Sequence, residues 1–299
     1  MAPIKNVAIV GASGSLGSAV FKQLVASGKF NIKVLRRNGS TSTFAPGTDV
    51  VDVDFDSIDS VKAALAGQDA VVAPLGTSGF GIQTTLIDAA IAAGVQRFLP
   101  SEFGADLSNP NARQLPVFAD KIKVADYLVE KSKTTPLTYT LVSNGAFLDW
   151  GLRNRFIINA IDFKTTVFDG GNALFSTTAL PSVGDAVVGI LSHPEETKNR
   201  RVYVEDLKLS QNQLLGLAKQ VAPEKPWEVV EDSLAAATTK ANERLAQGLF
   251  DFETFMPYIN RASFDPEFGC NFQKPENELL GLKGKTEADV IELLKQVLN

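Results

Sequence analysis

Three glycines near the start of the chain have the spacing of a phosphate-binding turn. Gly11, Gly14 and Gly17 follow an apolar segment that ends at Val10, in a G-x-x-G-x-x-G pattern rather than the commoner G-x-G-x-x-G. Between a strand and a helix, the first glycine allows a tight turn and the second lets backbone N–H groups approach a pyrophosphate. The third lets the helix pack closely, and the helix N-terminus favours the anion. The pattern therefore predicts a dinucleotide site.

Two adjacent arginines indicate which dinucleotide would bind. A site for NAD usually has Asp or Glu about 20 residues beyond the glycine turn, where the carboxylate holds the ribose 2′-hydroxyl. Here Arg36 and Arg37 follow the second predicted strand, and no carboxylate comes until Asp49. Two guanidiniums could clamp a 2′-phosphate, so the pair favours NADPH or NADP over NAD. A solvated arginine pair at a strand end would give the same string.

A long predicted helix over 117–133 carries candidate groups for moving a proton. Tyr127 and Lys131 have the Y-x-x-x-K spacing of short-chain dehydrogenases, with Ser101 lying 26 residues upstream as a possible third member. Lys131 is in the last turn of the helix, however, roughly 15 Å along its axis from Lys121. A helix that leads into a parallel strand begins at the edge of the sheet where the cofactor binds. We therefore expect Tyr127 and Lys131 to be a coincidence of an amphipathic helix.

Alternating strands and helices over the first 150 residues must position these groups. Apolar runs predict strands at 6–10, 31–35, 49–53, 70–73, 97–100 and 137–142, and helical periodicity predicts helices at 15–26, 57–65, 82–93 and 117–133. Gly28 lies just past the first helix, where a C-cap glycine is expected. Such regular alternation implies right-handed crossovers and a Rossmann-type α/β fold with a doubly wound parallel sheet.

After residue 150 the alternation loosens. Further strands are predicted at 164–168, 174–178 and 201–204, and helices at 183–191 and 211–221. The string Asp169-Gly170-Gly171-Asn172 between the first two of these strands indicates a hairpin or a meander. We expect residues 1–150 to form the cofactor-binding domain and residues 151–299 a smaller α+β substrate domain, with parts of 176–206 returning to the first sheet. Eleven of the 19 Phe lie after residue 146, either as core or as lining of an apolar substrate cleft.

The composition excludes several classes of function. A net charge of −5, from 29 Lys and Arg against 34 Asp and Glu, has the wrong sign for a general grip on nucleic acid. One histidine, His193, and one cysteine, Cys270, leave no multi-histidine metal site and no intrachain disulfide, so no metal is expected. No apolar stretch approaches the roughly 20 residues of a membrane span, and the glycines interrupt the apolar start as no signal peptide would. A cytoplasmic protein without a membrane partner is expected.

Two further strings resemble one known family. Arg97–Gly104, RFLPSEFG, is similar to the fifth-strand motif of isoflavone reductase-like proteins, which belong to the NmrA-like branch of the atypical short-chain dehydrogenases. Tyr139–Phe147, YTLVSNGAF, resembles the sixth-strand segment of the same family. The resemblance covers residues 4–150 well and the remainder loosely. It implies NADPH binding, a substrate cleft between two domains, and reduction of a small, mostly aromatic compound.

The resemblance also implies roles for individual residues. Lys121, in the segment FADKIKV, matches the family's catalytic lysine, which acts as a general acid or base on the substrate. Lys123 points about 200° away around the helix, so both lysines cannot face one cleft. The residues expected to contact the cofactor are Gly11, Ser13, Gly14, Ser15, Leu16, Gly17, Arg36, Arg37, Asp54, Gly76, Thr77, Gln83, Ser101, Glu102, Phe103, Lys121 and Asn144. The residues expected to contact the substrate are Phe103, Phe147 and Trp150.

Two classes of function fit these features. The first is an NADPH-dependent reductase that transfers hydride to a small aromatic or apolar substrate, with Lys121 managing a proton. The alternative is an NmrA-like regulator that senses NADP(H) without turnover. Lys121 favours the enzyme, because a sensor has no use for a desolvated lysine. A third option, an epimerase or dehydratase with a tightly held NAD, is disfavoured by the Arg36–Arg37 pair.

Overall fold

A computed structural model describes residues 2–298, apart from the side chain of Ser78. Strands and helices follow one another throughout this range. The strands are β1 (Asn6–Val10), β2 (Asn31–Arg37), β3 (Asp49–Val53), β4 (Ala70–Val72), β5 (Arg97–Leu99), β6 (Thr138–Ser143), β7 (Ala146–Phe147), β8 (Lys164–Phe168), β9 (Phe175–Thr178), β10 (Arg200–Tyr203), β11 (Leu207–Leu209) and β12 (Glu228–Asp232). The α-helices are α1 (Ser15–Ser27), α2 (Ile58–Ala64), α3 (Gln83–Ala92), α4 (Pro110–Arg113), α5 (Ala119–Thr134), α6 (Leu148–Arg153), α7 (Leu180–Ser192), α8 (Gln211–Val221), α9 (Leu234–Ala246), α10 (Phe252–Phe264), α11 (Asn277–Leu280) and α12 (Glu287–Leu298).

A seven-stranded sheet forms the centre of the molecule, in the order β10-β6-β5-β4-β1-β2-β3. All its neighbouring strands run parallel, which confirms the predicted Rossmann-type, doubly wound α/β fold. The strand order reverses between β1 and β4. In such sheets a ligand binds in the crevice at this reversal, outside the carboxyl ends of the strands.

Helices cover both faces of this sheet. Successive residues of a strand point to opposite faces, so they belong to two different apolar cores. Ala8 and Val10 of β1 belong to the apolar core under α2, α3 and α5. Val7 and Ile9 belong to the core under α1 and α7. The two helices α1 and α7 pack closely at Gly184, where an added Cβ would lie 3.0 Å from the carbonyl oxygen of Ala19.

The predicted hairpin or meander of residues 164–168 and 174–178 is wrong, because these two strands belong to two different small sheets. β8 pairs in parallel with β12, whereas β9 lies between β11 and β7 in a separate three-stranded sheet. Asp169 and the glycines after it do form a turn, since Gly171 donates to the carbonyl of Phe168. β9 is the central strand of this sheet, paired on both edges, and all four of its residues are buried. The turn therefore joins two sheets instead of two paired strands.

The chain after residue 150 contributes to two parts of the molecule. β10 pairs with β6 as the outermost strand of the large sheet. A further apolar core joins α6, α8 and α12 to β9 and includes Leu152, Phe175, Leu214 and Phe264. The single cysteine, Cys270, is buried in this core, and the burial raises the pKa of its thiol to about 12.

Element boundaries differ from the predicted ones by a few residues. β2 runs two residues further than predicted, so Arg36 and Arg37 are its last residues. The long helix α5 begins at Ala119 instead of Val117, because Pro116 opens a separate 3₁₀ turn before it. Within residues 2–298, no helix combines the length and the apolar character needed to cross a membrane.

Candidate active site

The glycine turn leaves β1 at the strand reversal and opens α1. Gly11 has φ +90°, and a Cβ there would lie 2.9 Å from the carbonyl oxygen of Pro74. A Cβ on Gly17 would lie 1.9 Å from the carbonyl oxygen of Gly11, so the third glycine is required for the helix to approach the turn. On Gly14, the nearest atom would be 3.5 Å away, an ordinary contact. The fold thus needs the first and third glycines, whereas a Cβ at the second would be tolerated.

The open end of α1 suits an anion. Ser13, Gly14 and Ser15 are exposed, and Gly14 is the N-cap residue with no side-chain hydrogen bond. The first N–H groups of a helix have no intrahelical acceptor, and the helix dipole adds positive potential there. Leu16, also in this first turn, is half-buried against the core under α1.

A cleft of about 450 Å³ lies beside this turn, at the carboxyl ends of β1 and β2. Its walls include Gly11 and Ser13 of the turn, the residues from Val34 to Thr41, and the rings of Phe44 and Phe55. Ser40, Thr41 and the two phenylalanines are cleft residues that the sequence did not single out. A hydroxyl pair so soon after two arginines is the signal that could have identified Ser40 and Thr41.

The two arginines have different surroundings. Arg36 donates from Nε and Nη2 to the Asp52 carboxylate at 2.6 and 2.9 Å, and from Nη1 to the carbonyl oxygen of Ser42 at 2.6 Å. This pairing raises the pKa of Arg36 and lowers that of Asp52. The exposed side chain of Arg37 has no hydrogen bond or ion pair to any residue of 2–298. One guanidinium of the predicted pair therefore holds the loop, and the other is free to meet a ligand.

Asp54 and three residues after β4 have roles that differ from one another. Asp54 is exposed, accepts the N–H of Asp56, and is not part of the cleft wall, where Phe55 lies instead. Gly76 and Thr77 are exposed at the start of a 3₁₀ turn. Gln83 is fully buried; its Oε1 accepts the N–H of Ser101 at 2.8 Å, and its Nε2 has no partner among the described residues.

Lys121 lies in the first turn of α5, at the same edge of the sheet as the glycine turn. Its Nζ donates to the carbonyl oxygens of Glu102 at 2.7 Å and of Phe103 at 3.1 Å. The side chain is half-buried, whereas Lys123 is exposed. Desolvation lowers the pKa of Lys121 to about 8; the Glu102 carboxylate opposes this shift and the Arg201 guanidinium adds to it.

An ion pair behind Lys121 was not foreseen from the sequence. Arg201, on β10, donates from Nη2 to Oε2 of Glu102 at 2.6 Å and from Nη1 to Oγ of Ser143 at 2.7 Å. The side chains are 10% and 1% exposed, so this is a buried ion pair. Glu102 and Arg201 are 99 residues apart in the chain, and no local pattern connects them.

Ser101 and Asn144, two further predicted cofactor contacts, make hydrogen bonds to the backbone near Lys121. The Ser101 hydroxyl donates to the carbonyl oxygen of Leu75 at 2.6 Å, so its proton is used in a backbone contact. Asn144 is fully buried and its N–H donates to the carbonyl of Gly104, while its Oδ1 has no partner in the part of the chain that the structure describes. Buried polar atoms without a protein partner are rare and are commonly matched by water or a ligand.

The three predicted substrate residues do not share one environment. Phe103 is 3% exposed and belongs to the core under α1 and α7, so only its carbonyl oxygen reaches Lys121. Phe147 is half-buried at the edge of the same core. Trp150 is half-buried on α6, 6.4 Å between ring centroids from Phe156, at the edge of an aromatic cluster around Phe264.

Tyr127 and Lys131 meet a carboxylate on the neighbouring helix α3. The Tyr127 hydroxyl donates to Asp88 at 2.7 Å, and Nζ of Lys131 lies 3.0 Å from the same carboxylate. All three side chains lie between α3 and α5 and hold the helices together. The Y-x-x-x-K spacing here belongs to a helix contact.

The residues present fit a bound NADP(H). The exposed turn from Ser13 to Ser15 would admit a pyrophosphate to the N-terminus of α1. The unpaired Arg37, with Ser40 and Thr41 in the same cleft, would suit a 2′-phosphate. No group of three or more His, Cys, Asp or Glu able to hold a metal ion occurs among the residues described.

A glycine turn at the strand reversal of a doubly wound sheet is the architecture of dinucleotide-binding α/β proteins. Comparison with known proteins narrows this class. The model of the NmrA-like family matches residues 3–231. The chain therefore belongs to the NmrA-like family, which confirms the family predicted from the RFLPSEFG and YTLVSNGAF strings.

The relatives extend along nearly the whole chain. Oxidoreductase aprR of Aspergillus flavus is 33% identical over 292 residues, which cover 96% of this chain and 97% of that protein. Oxidoreductase poxI of Penicillium oxalicum is 29% identical over 299 residues, covering 96% and 92%. Among solved structures, AtPrR2 with NADP+ and (+)pinoresinol has the same fold, with a TM-score of 0.80, 20% identity and 100% coverage of both chains. The relatives place this chain among the oxidoreductases.

Proposed function

We propose that this protein is an NADPH-dependent reductase of small aromatic compounds, with Lys121 as the general acid or base. The observation that carries the proposal is the state of Lys121: an amine with a pKa of about 8, held by two carbonyl oxygens at the ligand-binding edge of the sheet. A group with a pKa near the working pH can both accept and return a proton.

The two carbonyl contacts define what the lysine can do. A neutral amine has two N–H donors and one lone pair. If both donors go to Glu102 and Phe103, the lone pair is left for a proton from the substrate. After protonation, the third N–H of the ammonium occupies that direction and can return the proton. The carbonyls thus hold the amine in one orientation through both protonation states.

The cofactor proposal rests on the cleft and the glycine turn. NADPH, when bound, supplies the hydride. Arg37 would hold the 2′-phosphate, and the exposed turn from Ser13 to Ser15 would hold the pyrophosphate. Gln83 is hydrogen-bonded to Ser101, and Asn144 to Gly104. Ser101 and Gly104 flank the two residues whose carbonyl oxygens accept from Lys121. Among the described residues, Nε2 of Gln83 and Oδ1 of Asn144 have no hydrogen-bond partner. They would offer a polar end of the ligand one donor and one acceptor.

An aromatic substrate is favoured by two observations. The aromatic side chains Phe147 and Trp150 are half-buried after β6 and keep part of their rings accessible. The structurally similar AtPrR2 was solved with (+)pinoresinol. A substrate of this kind would carry the hydroxyl or carbonyl oxygen on which Lys121 acts.

The proposal is tested by separating binding from turnover. NADPH and NADH are titrated by fluorescence, and NADPH oxidation is then screened with aromatic ketones, enones, allylic alcohols and benzylic ethers. We expect Lys121→Met to lower turnover by at least about 100-fold while leaving the Kd for NADPH within about twofold. Lys123→Met, an exposed lysine two residues away, is the matched control and should behave as the parent protein.

Two outcomes would contradict the proposal. Turnover that persists in Lys121→Met would remove the lysine from the chemistry. Saturable NADPH binding without oxidation by any of the compounds would favour the regulator that senses NADP(H).

A further inference from the structure

Arg201 connects the edge strand of the sheet to the turn that holds Lys121. Besides its contacts with Glu102 and Ser143, its Nε lies 3.7 Å from Oδ1 of Asp106. Ser143 in turn donates to the carbonyl oxygen of Ala105 at 3.1 Å. The guanidinium is therefore fixed on three sides, by Glu102 and Asp106 of the segment that follows β5 and by Ser143 at the end of β6.

We propose that Arg201 is a positioning residue for Lys121: it holds Glu102, and the carbonyl oxygen of Glu102 holds the lysine Nζ. This inference rests on the proposed function of Lys121 and extends it by one residue. The path is short, because Arg201 meets the Glu102 side chain at 2.6 Å and the Glu102 carbonyl meets Nζ at 2.7 Å. The hydrogen bond to Glu102 is charge-assisted and therefore strong, while a second arm of the guanidinium is anchored on Ser143.

Burial makes this ion pair sensitive to either partner. The Glu102 side chain is 1% exposed, its Oε1 has no partner, and Arg201 is its only ion-pair partner within residues 2–298. Charges that are removed from water interact strongly with neighbouring charges. Both partners therefore act on the Lys121 amine electrostatically as well as through the backbone.

The two charges act on Lys121 in opposite directions. The Glu102 carboxylate favours the ammonium and raises the pKa of Lys121, while the Arg201 guanidinium disfavours it and lowers that pKa. Behind Arg201 lie Asp106 and the Tyr203 hydroxyl, which donates to Asp106 at 3.2 Å. On α5 itself, the charged neighbours are Asp120 and the exposed Lys123.

A purely structural role for Arg201 predicts a different result. If the ion pair only held the segment in place, removal of either partner would loosen it and admit water. Water would relieve the desolvation of Lys121 and raise its pKa towards the ordinary lysine value in both variants. If the segment instead keeps its position and each partner acts on Lys121 through its own charge, the two variants shift the pKa of Lys121 in opposite directions.

The test is an NMR titration of the Lys121 13Cε resonance in the cofactor-free protein, assigned by its absence from Lys121→Met. We expect Arg201→Gln to raise the pKa of Lys121 by about 1, because a cation is lost and a carboxylate is uncovered. Glu102→Gln should lower it. Arg201→Lys should leave it near that of the parent, since the positive charge is retained.

Two further variants keep the test decisive. Arg201→Gln combined with Glu102→Gln removes both buried charges and should return the pKa to about 8, because desolvation, the largest cause, persists. This double variant and Glu102→Gln carry the test if Arg201→Gln does not fold. Arg200→Gln removes the neighbouring ion pair of β10, Arg200 with Glu276, and should leave Lys121 unchanged.

The readouts separate this inference from the proposed function. A rise of the pKa in both single variants, or no shift in either, overturns the positioning role even if the enzyme is active. Loss of the proposed function would appear as turnover without Lys121, which the titration does not measure. In an active enzyme, the limb of the kcat/KM–pH profile that depends on neutral Lys121 should move to higher pH in Arg201→Gln and to lower pH in Glu102→Gln.

Discussion

At the end of β2, two arginines that are neighbours in sequence have different partners. Alternation along the strand separates their side chains. Arg36 meets Asp52, its register partner on β3, and the carbonyl of Ser42, so it fixes the loop that follows. Arg37 is left without a partner within residues 2–298. The spacing of the pair could be read from the sequence, but this division depends on β3 lying alongside.

We expect Arg37→Ala to weaken NADPH binding by about 10- to 100-fold, the value of one or two hydrogen bonds to a charged group. NADH binding should change little, because that cofactor has no 2′-phosphate. Arg36→Ala is the control, and its smaller effect should come through the loop it holds. Equal losses for both cofactors in Arg37→Ala, measured by fluorescence titration, would contradict the assignment.

At the scale of elements, the unit of β1, glycine turn and α1 combines a fold requirement with a ligand requirement. A Cβ on Gly17 would overlap the Gly11 carbonyl, whereas a Cβ on Gly14 would make only an ordinary contact with it. Gly17 is therefore needed for packing of the helix against the turn, whereas Gly14 is proposed to serve ligand binding. Substituting each glycine separately distinguishes the two roles.

Gly14→Ala and Gly17→Ala form a matched pair. We expect Gly14→Ala to lower the free energy of unfolding by no more than about 1 kcal/mol, the usual cost of alanine at an N-cap, while weakening NADPH binding. Gly17→Ala should cost about 3 kcal/mol or more, because a methyl group would overlap backbone. Urea denaturation and NADPH titration on both variants check this; a stable Gly17→Ala would show that the turn can shift.

The sequence predicted most elements of the large sheet because each strand there is a local apolar run and each helix a local period. It failed where partners are distant. The turn after β8 is encoded by Asp169 and its glycines, but turn residues specify a reversal of direction and not which strands pair. Arg201 was missed for the same reason, since its meaning depends on Glu102, which lies on another part of the chain.

At the scale of the whole molecule, the chain returns to its first sheet after residue 150. α7 covers α1, with Val183, Val187 and Ile190 in the core they share with Val20. β10 pairs with β6 and brings Arg201 to the Lys121 turn. The part of the chain with the glycine turn thus depends on a later part for both its packing and its proposed active site.

We expect a fragment of residues 1–150 not to fold cooperatively. It would expose the face of α1 that α7 covers and the edge of β6 that β10 covers, and an exposed strand edge favours aggregation. Circular dichroism during heating and size-exclusion chromatography, with the full chain as reference, measure this. A cooperative transition in the fragment, together with NADPH binding, would instead establish an independent cofactor domain.

The buried thiol of Cys270 has a practical consequence. Burial raises the pKa of this thiol to about 12, so the thiolate, which is the reactive form, is rare at pH 7. The native chain should therefore resist alkylation and oxidation at this position. A cysteine introduced at the surface, for example beside the cleft at Thr41, could then be labelled with a fluorophore as a single site. Cofactor binding could be followed by such a label without first replacing Cys270.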